Sequence, residues 1–392
     1  MAVQFLAVCM PFQPVRRASA ARRSTGMPSP RSTSTPRRPR RGPPAPALLA
    51  CLAAAACRPA PGSAPMNETP PPPLALSPAA LPDAPLADTL RLVALDGAPV
   101  LLASSTHSAA PPHRTDVWAL PLAGRGPSGA VATIPQLLPA LPRWDASAAD
   151  GAADGGALSF VVEVAGGAVN ALVRLDGASG VRTSLTAHRP FASFSGPRFV
   201  RGAGAGSLPA PSPGVPGAVS AVVDNATAVV LEAAAAGGAP VDHPIGECID
   251  VVVLAGSPGP TAVCKRVAPG ASRGGALPGT VRVSARDAAY GPAGAEDAPF
   301  GDRRVFELDA DRAGGGLVIV ATSAAHLLVA HRPAPGAAFR VLPVDAGGAD
   351  PATFSAPCVL VTDRTVTLAV LSKARTPDAR ALVATWPLDP RP

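Results

Sequence analysis

Residues 157–177 read ALSFVVEVAGGAVNALVRLDG, and this segment indicates the fold. Two runs rich in Val and Leu, 160–164 and 169–175, flank the pair Gly166 and Gly167. Glycine adopts the positive φ that a tight turn between antiparallel strands requires. The segment therefore predicts a β-hairpin.

Five further segments repeat this pattern of two apolar runs around a break of Gly, Pro, Asp or Ser. They are VLLASSTHSAAPPHRTDVWALPL, AVSAVVDNATAVVLE, CIDVVVLAGSPGPTAVC, LVIVATSAAHLLVAH and TVTLAVLSKARTPDARALVATWPL. Convincing helical periodicity over 11 or more residues is missing, so the predicted class is all-β. The part AVVLEAAAA is open to a short helix capped by Asn225, because Leu, Glu and Ala favour helices. We prefer a strand there, like its neighbours.

Internal similarity predicts a repeat architecture for residues 87–392. DVWALPL around Trp118 resembles VATWPLD around Trp386, and 194–197 (FSGP) resembles 354–357 (FSAP), 160 positions later. Three periods of about 53 residues fit that spacing, and kelch blades repeat at about 50 residues. The body therefore resembles a β-propeller of about six blades, with seven blades or tandem β-sandwiches as alternatives. No named propeller motif recurs in register.

The positive charge of the chain is confined to its N-terminal segment. Residues 1–67 hold ten Arg and no acid, which leaves 24 basic and 27 acidic side chains in the remainder. A body without excess positive charge has little to offer a phosphate backbone, so we exclude nucleic acid as a partner. Residues 1–26 are interpreted as a basic leader that is either disordered or the product of a mis-called start of the coding sequence.

Residues 27–56 have the organisation of a secretory signal peptide. The basic stretch RSTSTPRRPRR is followed by the apolar run APALLACLAAAA, which is too short to span a bilayer. LAAAAC, ending at Cys57, resembles the lipobox of lipoproteins from high-GC bacteria. That resemblance implies acylation of Cys57 and a membrane anchor, and Arg58 in place of Asp favours the outer membrane. Cleavage at an A-x-A site with soluble secretion, and an organellar transit peptide, remain alternatives.

Residues 57–86 are predicted to be an extended tether between the anchor and the body. Ten prolines fall in 58–86, a density that favours polyproline II over packed structure.

Cys248 and Cys264 are predicted to form a disulfide. A hairpin turning at 256–259 would place them directly opposite each other, at a distance that a disulfide can close. Export to an oxidising compartment agrees with this bond. The alternative is two reduced, buried cysteines, and Cys358 is predicted to be a buried unpaired thiol.

No catalytic or metal-binding motif exceeds the chance expectation. Ser272 stands in a G-x-S-x-G match, but its surroundings are a glycine-rich loop instead of a strand and a helix. Asp309 and Asp311 are interpreted as a loop acid pair, and Asp145 as a solvated turn residue. Sialidases use a Tyr nucleophile assisted by a Glu. Tyr290, the only Tyr, lies in an irregular segment, and this weakens a sialidase hypothesis. The six His lack metal-ligand spacing, so neither metal nor cofactor is expected.

These observations favour a cell-envelope lipoprotein that acts as a non-catalytic binding or scaffold module for a protein or glycan. The alternative is an exported β-propeller hydrolase acting on glycans or lactones. Such enzymes gather their acids from several blades and leave little linear motif. A channel mouth with two carboxylates, or a His and a carboxylate, within about 5–9 Å of each other would favour the enzyme, and one lined by Ala, Val and Gly would exclude it.

Overall fold

The structure is a computed structural model that describes most of the chain after residue 71. The described residues are 72–79, 81, 87–95, 97–107, 113–123, 128–135, 143–148, 158–166, 169–176, 182–186, 188–189, 192–201, 218–232, 241–256, 259–267, 277–313, 316–362 and 365–388. The predicted leader 1–26, the signal peptide 27–56 and the lipidation residue Cys57 lie outside these ranges.

Six antiparallel four-stranded sheets follow one another along the chain and form the blades of a propeller. Blade 1 contains β3 (Thr89–Leu95), β4 (Ala98–His107), β5 (Arg114–Pro121) and β6 (Gly129–Pro135). Blade 2 contains β7 (Trp144–Ala148), β8 (Leu158–Gly166), β9 (Val169–Asp176) and β10 (Arg182–Ser184). Blade 3 contains β11 (Phe194–Phe199), β12 (Val219–Val223), β13 (Thr227–Glu232) and β14 (Val241–Glu247).

The second half of the chain repeats the arrangement. Blade 4 contains β15 (Asp250–Leu254), β16 (Thr261–Arg266), β17 (Thr280–Arg286) and β18 (Pro292–Asp297). Blade 5 contains β19 (Glu307–Ala313), β20 (Gly316–Thr322), β21 (Leu327–Arg332) and β22 (Arg340–Leu342). Blade 6 contains β24 (Phe354–Thr362), β25 (Thr365–Ser372), β26 (Arg380–Pro387) and the N-terminal strand β2 (Ser77–Ala79).

The first strands of the blades form a closed ring. Each of β3, β7, β11, β15, β19 and β24 contacts the first strand of the next blade, and β24 returns to β3. This ring surrounds a central channel and confirms the predicted six-bladed propeller. Seven blades and tandem sandwiches are both incompatible with it.

The N-terminal strands complete the last blade. β2 pairs antiparallel with β26, and β1 (Leu74–Ala75) pairs parallel with β23 (Val344–Asp345). Because strands from the beginning and the end of the described residues share blade 6, main-chain hydrogen bonds close the ring. The propeller thus includes residues that the sequence analysis assigned to the tether.

Each of the six predicted hairpins belongs to a different blade. In five blades the hairpin supplies the second and third strands, and in blade 4 it supplies the first and second. In the ambiguous segment after Asn225, Thr227–Glu232 form strand β13, and 233–236 lie outside the described residues. Trp118 and Trp386 both lie on the third strand of their blade, so that sequence echo reflects a true structural repeat.

The hydrophobic core is divided among the contacts between neighbouring blades. Strand β20 shows the reason, because Leu317 and Ile319 pack in the cluster shared with blade 4, whereas Val318 and Val320 pack towards blade 6. A strand buried on both faces reads as a continuous apolar run. The described residues contain a single helical turn, the 3-10 segment Pro351–Thr353, and no helix suited to crossing a bilayer.

Candidate functional site

A cavity of about 650 Å³ opens where the first strands begin, at one end of the channel. We call it the mouth cavity. All six blades contribute to its wall: Asp88, Thr89, Arg91, Arg143, Trp144, Gly196, Pro197, Arg198, Asp250, Lys265, 306–308, 322–324, 352, 354–357 and Arg375. Because all first strands run from the mouth into the channel, residues at their start meet here although they are distant in sequence. No histidine is among the lining residues.

Three carboxylates from three blades line the mouth cavity. Asp88 accepts a hydrogen bond from Ser104 Oγ at 2.8 Å. Asp250, at the start of β15, lies 3.7 Å from Arg198 Nη2 and is partly exposed. Glu307, at the start of β19, is exposed and accepts a hydrogen bond from the Ala356 backbone N–H. The mouth therefore gathers carboxylates that are distant in sequence, from three different blades.

Lys265 lies in the cavity wall next to two of these carboxylates. It stands opposite Asp250 in the ladder of β15 and β16, and its ammonium donates to the Phe306 carbonyl. Burial lowers the pKa of Lys265 below its ordinary value, whereas the charges of Asp250 and Glu307 oppose that shift. The Lys265 ammonium is thus close to Asp250 of blade 4 and Glu307 of blade 5.

A buried ion-pair network lies immediately below the mouth cavity. Asp309 is fully buried and contacts Arg198 Nη1 at 3.4 Å and Arg201 Nη1 at 3.0 Å. Arg91 Nε lies 3.2 Å from the buried Asp145, which also accepts a hydrogen bond from the backbone of β11. Buried charges are tolerated when they are paired and hydrogen-bonded in this way. The network thus places paired charges on the innermost strands of four blades.

Alternate residues of β19 bind the backbone of the next blade through their carboxylates. The acceptor and donor pairs are Glu307 with Ala356, Asp309 with Val359 (3.0 Å) and Asp311 with Val361 (2.7 Å). Side chains two positions apart lie on one face of a strand, so the sequence ELDAD presents all three acids to β24.

The electrostatics of the network follow from burial and pairing. Burial acts to lower the pKa of Arg198, but the carboxylates of Asp250 and Asp309 raise it above its ordinary value. Burial also acts to lower the pKa of Arg201, but nearby carboxylates, mainly that of Asp309, raise it above its ordinary value. Burial raises the pKa of Asp311 to about 6, although Arg201 and two backbone donors act in the opposite direction.

Several sequence interpretations of single residues require correction. Asp309 and Asp311 lie in strand β19 and not in a loop, and Asp145 lies buried in β7 and not in a solvated turn. All three were mistaken for surface acids because Gly and Ala surround them in sequence. Ser272 lies outside the described residues.

Tyr290 is located outside the channel. It lies in the turn between β17 and β18, with a φ of 63°, and its hydroxyl donates to Glu232 Oε1 at 2.8 Å. His243 Nε2 is 3.3 Å from the second oxygen of Glu232. Burial and the hydrogen bond to Glu232 raise the pKa of Tyr290, which makes it a poor nucleophile. This cluster joins blades 3 and 4 at their outer part.

The structure contains the predicted disulfide between Cys248 and Cys264, with a Cα–Cα distance of 5.5 Å. The predicted pairing register was wrong, because Leu254 pairs with Thr261 and Val251 lies opposite Cys264. Cys248 precedes β15, so the bond ties the connection between blades 3 and 4 to strand β16. Cys358 is a buried free thiol as predicted, and burial raises its pKa.

Among the residues that the structure describes, no group of three or more His, Cys, Asp or Glu side chains is arranged to hold a metal ion.

No protein-family model and no curated protein matches the chain. Solved structures do match it. The α-L-arabinanase of Penicillium chrysogenum, solved with arabinobiose, superposes with a TM-score of 0.50 at 12% identity over 81% of this chain and 97% of that chain. An arabinoxylan arabinofuranohydrolase of glycoside hydrolase family 43 from Bacillus subtilis gives a TM-score of 0.40, 11% identity and coverages of 78% and 64%. A family 43 enzyme from Xanthomonas citri, solved with xylotriose, superposes with a TM-score of 0.36 at 12% identity over 80% of this chain and 89% of that chain.

The superposition with the arabinanase shows that the two proteins share a fold. The TM-scores of the two other enzymes are too low to support any inference. The preference for a non-catalytic binding or scaffold module was nevertheless wrong, since the structure that superposes over nearly its whole length is that of a glycan-cleaving enzyme. Motif spacing in the sequence gave no signal for Asp250 and Glu307, because each acid comes from a different blade.

Proposed function

We propose that the protein is an exported β-propeller hydrolase that cleaves glycosidic bonds in the mouth cavity. The observation that carries this proposal is the convergence of Asp250 and Glu307, from separate blades, on one open cavity beside Lys265. A volume of about 650 Å³ is within the range of small-molecule sites and accommodates a short oligosaccharide.

Cleavage of a glycosidic bond requires two carboxyl groups with different roles. Asp250 forms an ion pair with Arg198, and an ionised carboxylate is suited to act as base or nucleophile. Glu307 forms no ion pair with any described residue and engages one oxygen with the Ala356 N–H. We assign Glu307 as the proton donor to the leaving oxygen and Asp250 as the partner that activates water or attacks the sugar.

The fixed backbone around these acids supports their positioning. Asp250 and Glu307 both begin first strands of the ring, and Glu307 is anchored to the neighbouring blade by its hydrogen bond. Side chains held on the ends of packed strands keep their geometry when substrate binds, which favours catalysis.

The test is release of reducing ends from arabinan, arabinoxylan, polygalacturonate and alginate. We expect activity on at least one polymer and a loss of about 100-fold or more in Glu307→Gln and Asp250→Asn. Glu296→Gln, on outer strand β18, and Asp287→Asn, in the turn at the opposite end of blade 4, are matched controls that should retain activity. Absence of activity on all four polymers, or equal activity in all variants, would overturn the proposal.

We also propose that the chain is exported and anchored through Cys57, with the outer membrane as the destination. The signal-like segment 27–56 and the disulfide of the body support export. Expression from Met27 in a bacterial host with labelled palmitate should label the wild type and not Cys57→Ala. Equal labelling of both forms, or of neither, would contradict an anchor at Cys57.

A further inference from the structure

The mouth cavity gathers basic side chains from five of the six blades. Five basic side chains line it, those of Arg91, Arg143, Arg198, Lys265 and Arg375, against three carboxylates. Arg91 and Arg198 are paired with the buried Asp145 and Asp309, so the basic side chains that remain for a ligand are Arg143, Lys265 and Arg375.

Two of these cations are exposed and available to a ligand. Arg143 precedes β7 of blade 2, and Arg375 lies in the connection between β25 and β26 of blade 6. Neither side chain forms an ion pair with any residue that the structure describes. By contrast, Arg91 forms an ion pair with Asp145, and Arg198 forms one with Asp309, in the buried network.

Their backbones are fixed by hydrogen bonds to neighbouring strands. The Arg143 carbonyl accepts a bond from the Glu163 N–H at 2.8 Å, and the Arg375 N–H donates to the Ala87 carbonyl at 2.9 Å. The Arg143 guanidinium also lies next to Gly196 across the cavity wall. The two arginines are therefore held at separate points of the same rim.

Arg143 adds to the repulsion among the cations of the cavity. Burial lowers the pKa of the Lys265 ammonium, and the positive charges of Arg143 and Arg198 lower it further. An anionic group bound among these side chains would relieve this repulsion. Guanidinium groups bind carboxylates with two parallel hydrogen bonds, which provides geometric selectivity as well as charge.

We propose that the mouth cavity selects glycans that carry carboxylate groups, that is uronic acid residues, and that Arg143 and Arg375 bind those carboxylates. This inference rests on the proposed hydrolase and specifies its substrate class. A neutral oligosaccharide would leave both guanidinium groups without a partner in the complex.

The test is calorimetric binding of hexamers of galacturonate, mannuronate and guluronate, with neutral arabinohexaose as the reference. We expect at least one uronate hexamer to bind about 10-fold more tightly than the neutral hexamer or better. Arg143→Gln and Arg375→Gln should each weaken uronate binding about 10-fold. Arg340→Gln, an exposed arginine on outer strand β22, is the matched control and should leave binding unchanged.

Failure of this inference differs from failure of the proposed function. Cleavage of arabinan without preferential binding of any uronate hexamer overturns the selectivity and leaves the hydrolase. Uronate binding that depends on Arg143, without cleavage of any polymer, leaves the selectivity and overturns the hydrolase. Equal effects of Arg143→Gln and Arg340→Gln would show unspecific attraction and overturn the assigned residues.

Discussion

Gly196 and Ala356, 160 residues apart, occupy equivalent positions in blades 3 and 6. Both have positive φ, 60° and 47°, within a bulge of the first strand of their blade. Each donates its N–H to a glutamate of the preceding blade, Glu163 for Gly196 and Glu307 for Ala356. The repeated FSGP and FSAP segments thus form the same bulge, hydrogen-bonded to a glutamate of the preceding blade, on opposite sides of the channel mouth.

Reciprocal substitutions at these positions should have opposite effects on stability. A left-handed conformation costs a residue with a Cβ about 1–2 kcal/mol, so Gly196→Ala should lower the free energy of unfolding by that amount. Ala356→Gly should raise it by about 0.5 kcal/mol, because relief of strain exceeds the added backbone entropy. Urea unfolding measures both. The prediction fails if the two substitutions shift stability in the same direction.

The disulfide between Cys248 and Cys264 should stabilise the propeller. The cysteines are 16 positions apart, and a closed loop of that size contributes about 3 kcal/mol by restricting the unfolded chain. The double variant Cys248→Ala, Cys264→Ala should therefore unfold at a lower urea concentration than the wild type. Dithiothreitol should lower the wild-type midpoint and leave the variant unchanged. An effect of equal size on both proteins would contradict this explanation.

Removing the charge of Asp309 should destabilise the fold far more than removing a surface charge. In Asp309→Asn the buried Arg198 and Arg201 lose their shared partner, which costs about 3–5 kcal/mol. Asp302→Asn is the matched comparison, because the Asp302 side chain is 98% exposed and lies 3.6 Å from Arg282. Its effect should be within about 1 kcal/mol. Similar losses in the two variants would count against the buried network.

Asp311 should make stability depend on pH between about 4 and 6. Its pKa is raised by burial from 3.8 to about 6, so the folded state binds the proton more tightly than the unfolded state. The resulting stabilisation is present at low pH and is lost as the pH rises through 6, with a total of about 3 kcal/mol. The free energy of unfolding of wild type, measured relative to Asp311→Asn, should fall over this interval. A constant difference between pH 4 and 7 would refute the assignment.

The strand content and the number of blades could be predicted from local features of the sequence. Each hairpin, such as the one around Gly166, is formed by neighbouring residues whose apolar runs and turn chemistry are visible within about 20 positions. The 160-residue echo reflected repetition of one supersecondary unit. The pairing of Cys248 with Cys264 was also local, although the turn places Val251, and not Cys248, directly opposite Cys264.

The charged centre of the propeller was decided only by the tertiary structure. Arg198 meets Asp309 across 111 positions, and Arg201 meets the Val359 carbonyl across 158, because ring closure brings the first strands together. No local pattern distinguishes an acid that faces this channel from one in a solvated loop, so Asp145 and Asp309 were assigned to the surface. Their burial depends on which strand of each blade lies innermost, and packing of all six blades together determines that order.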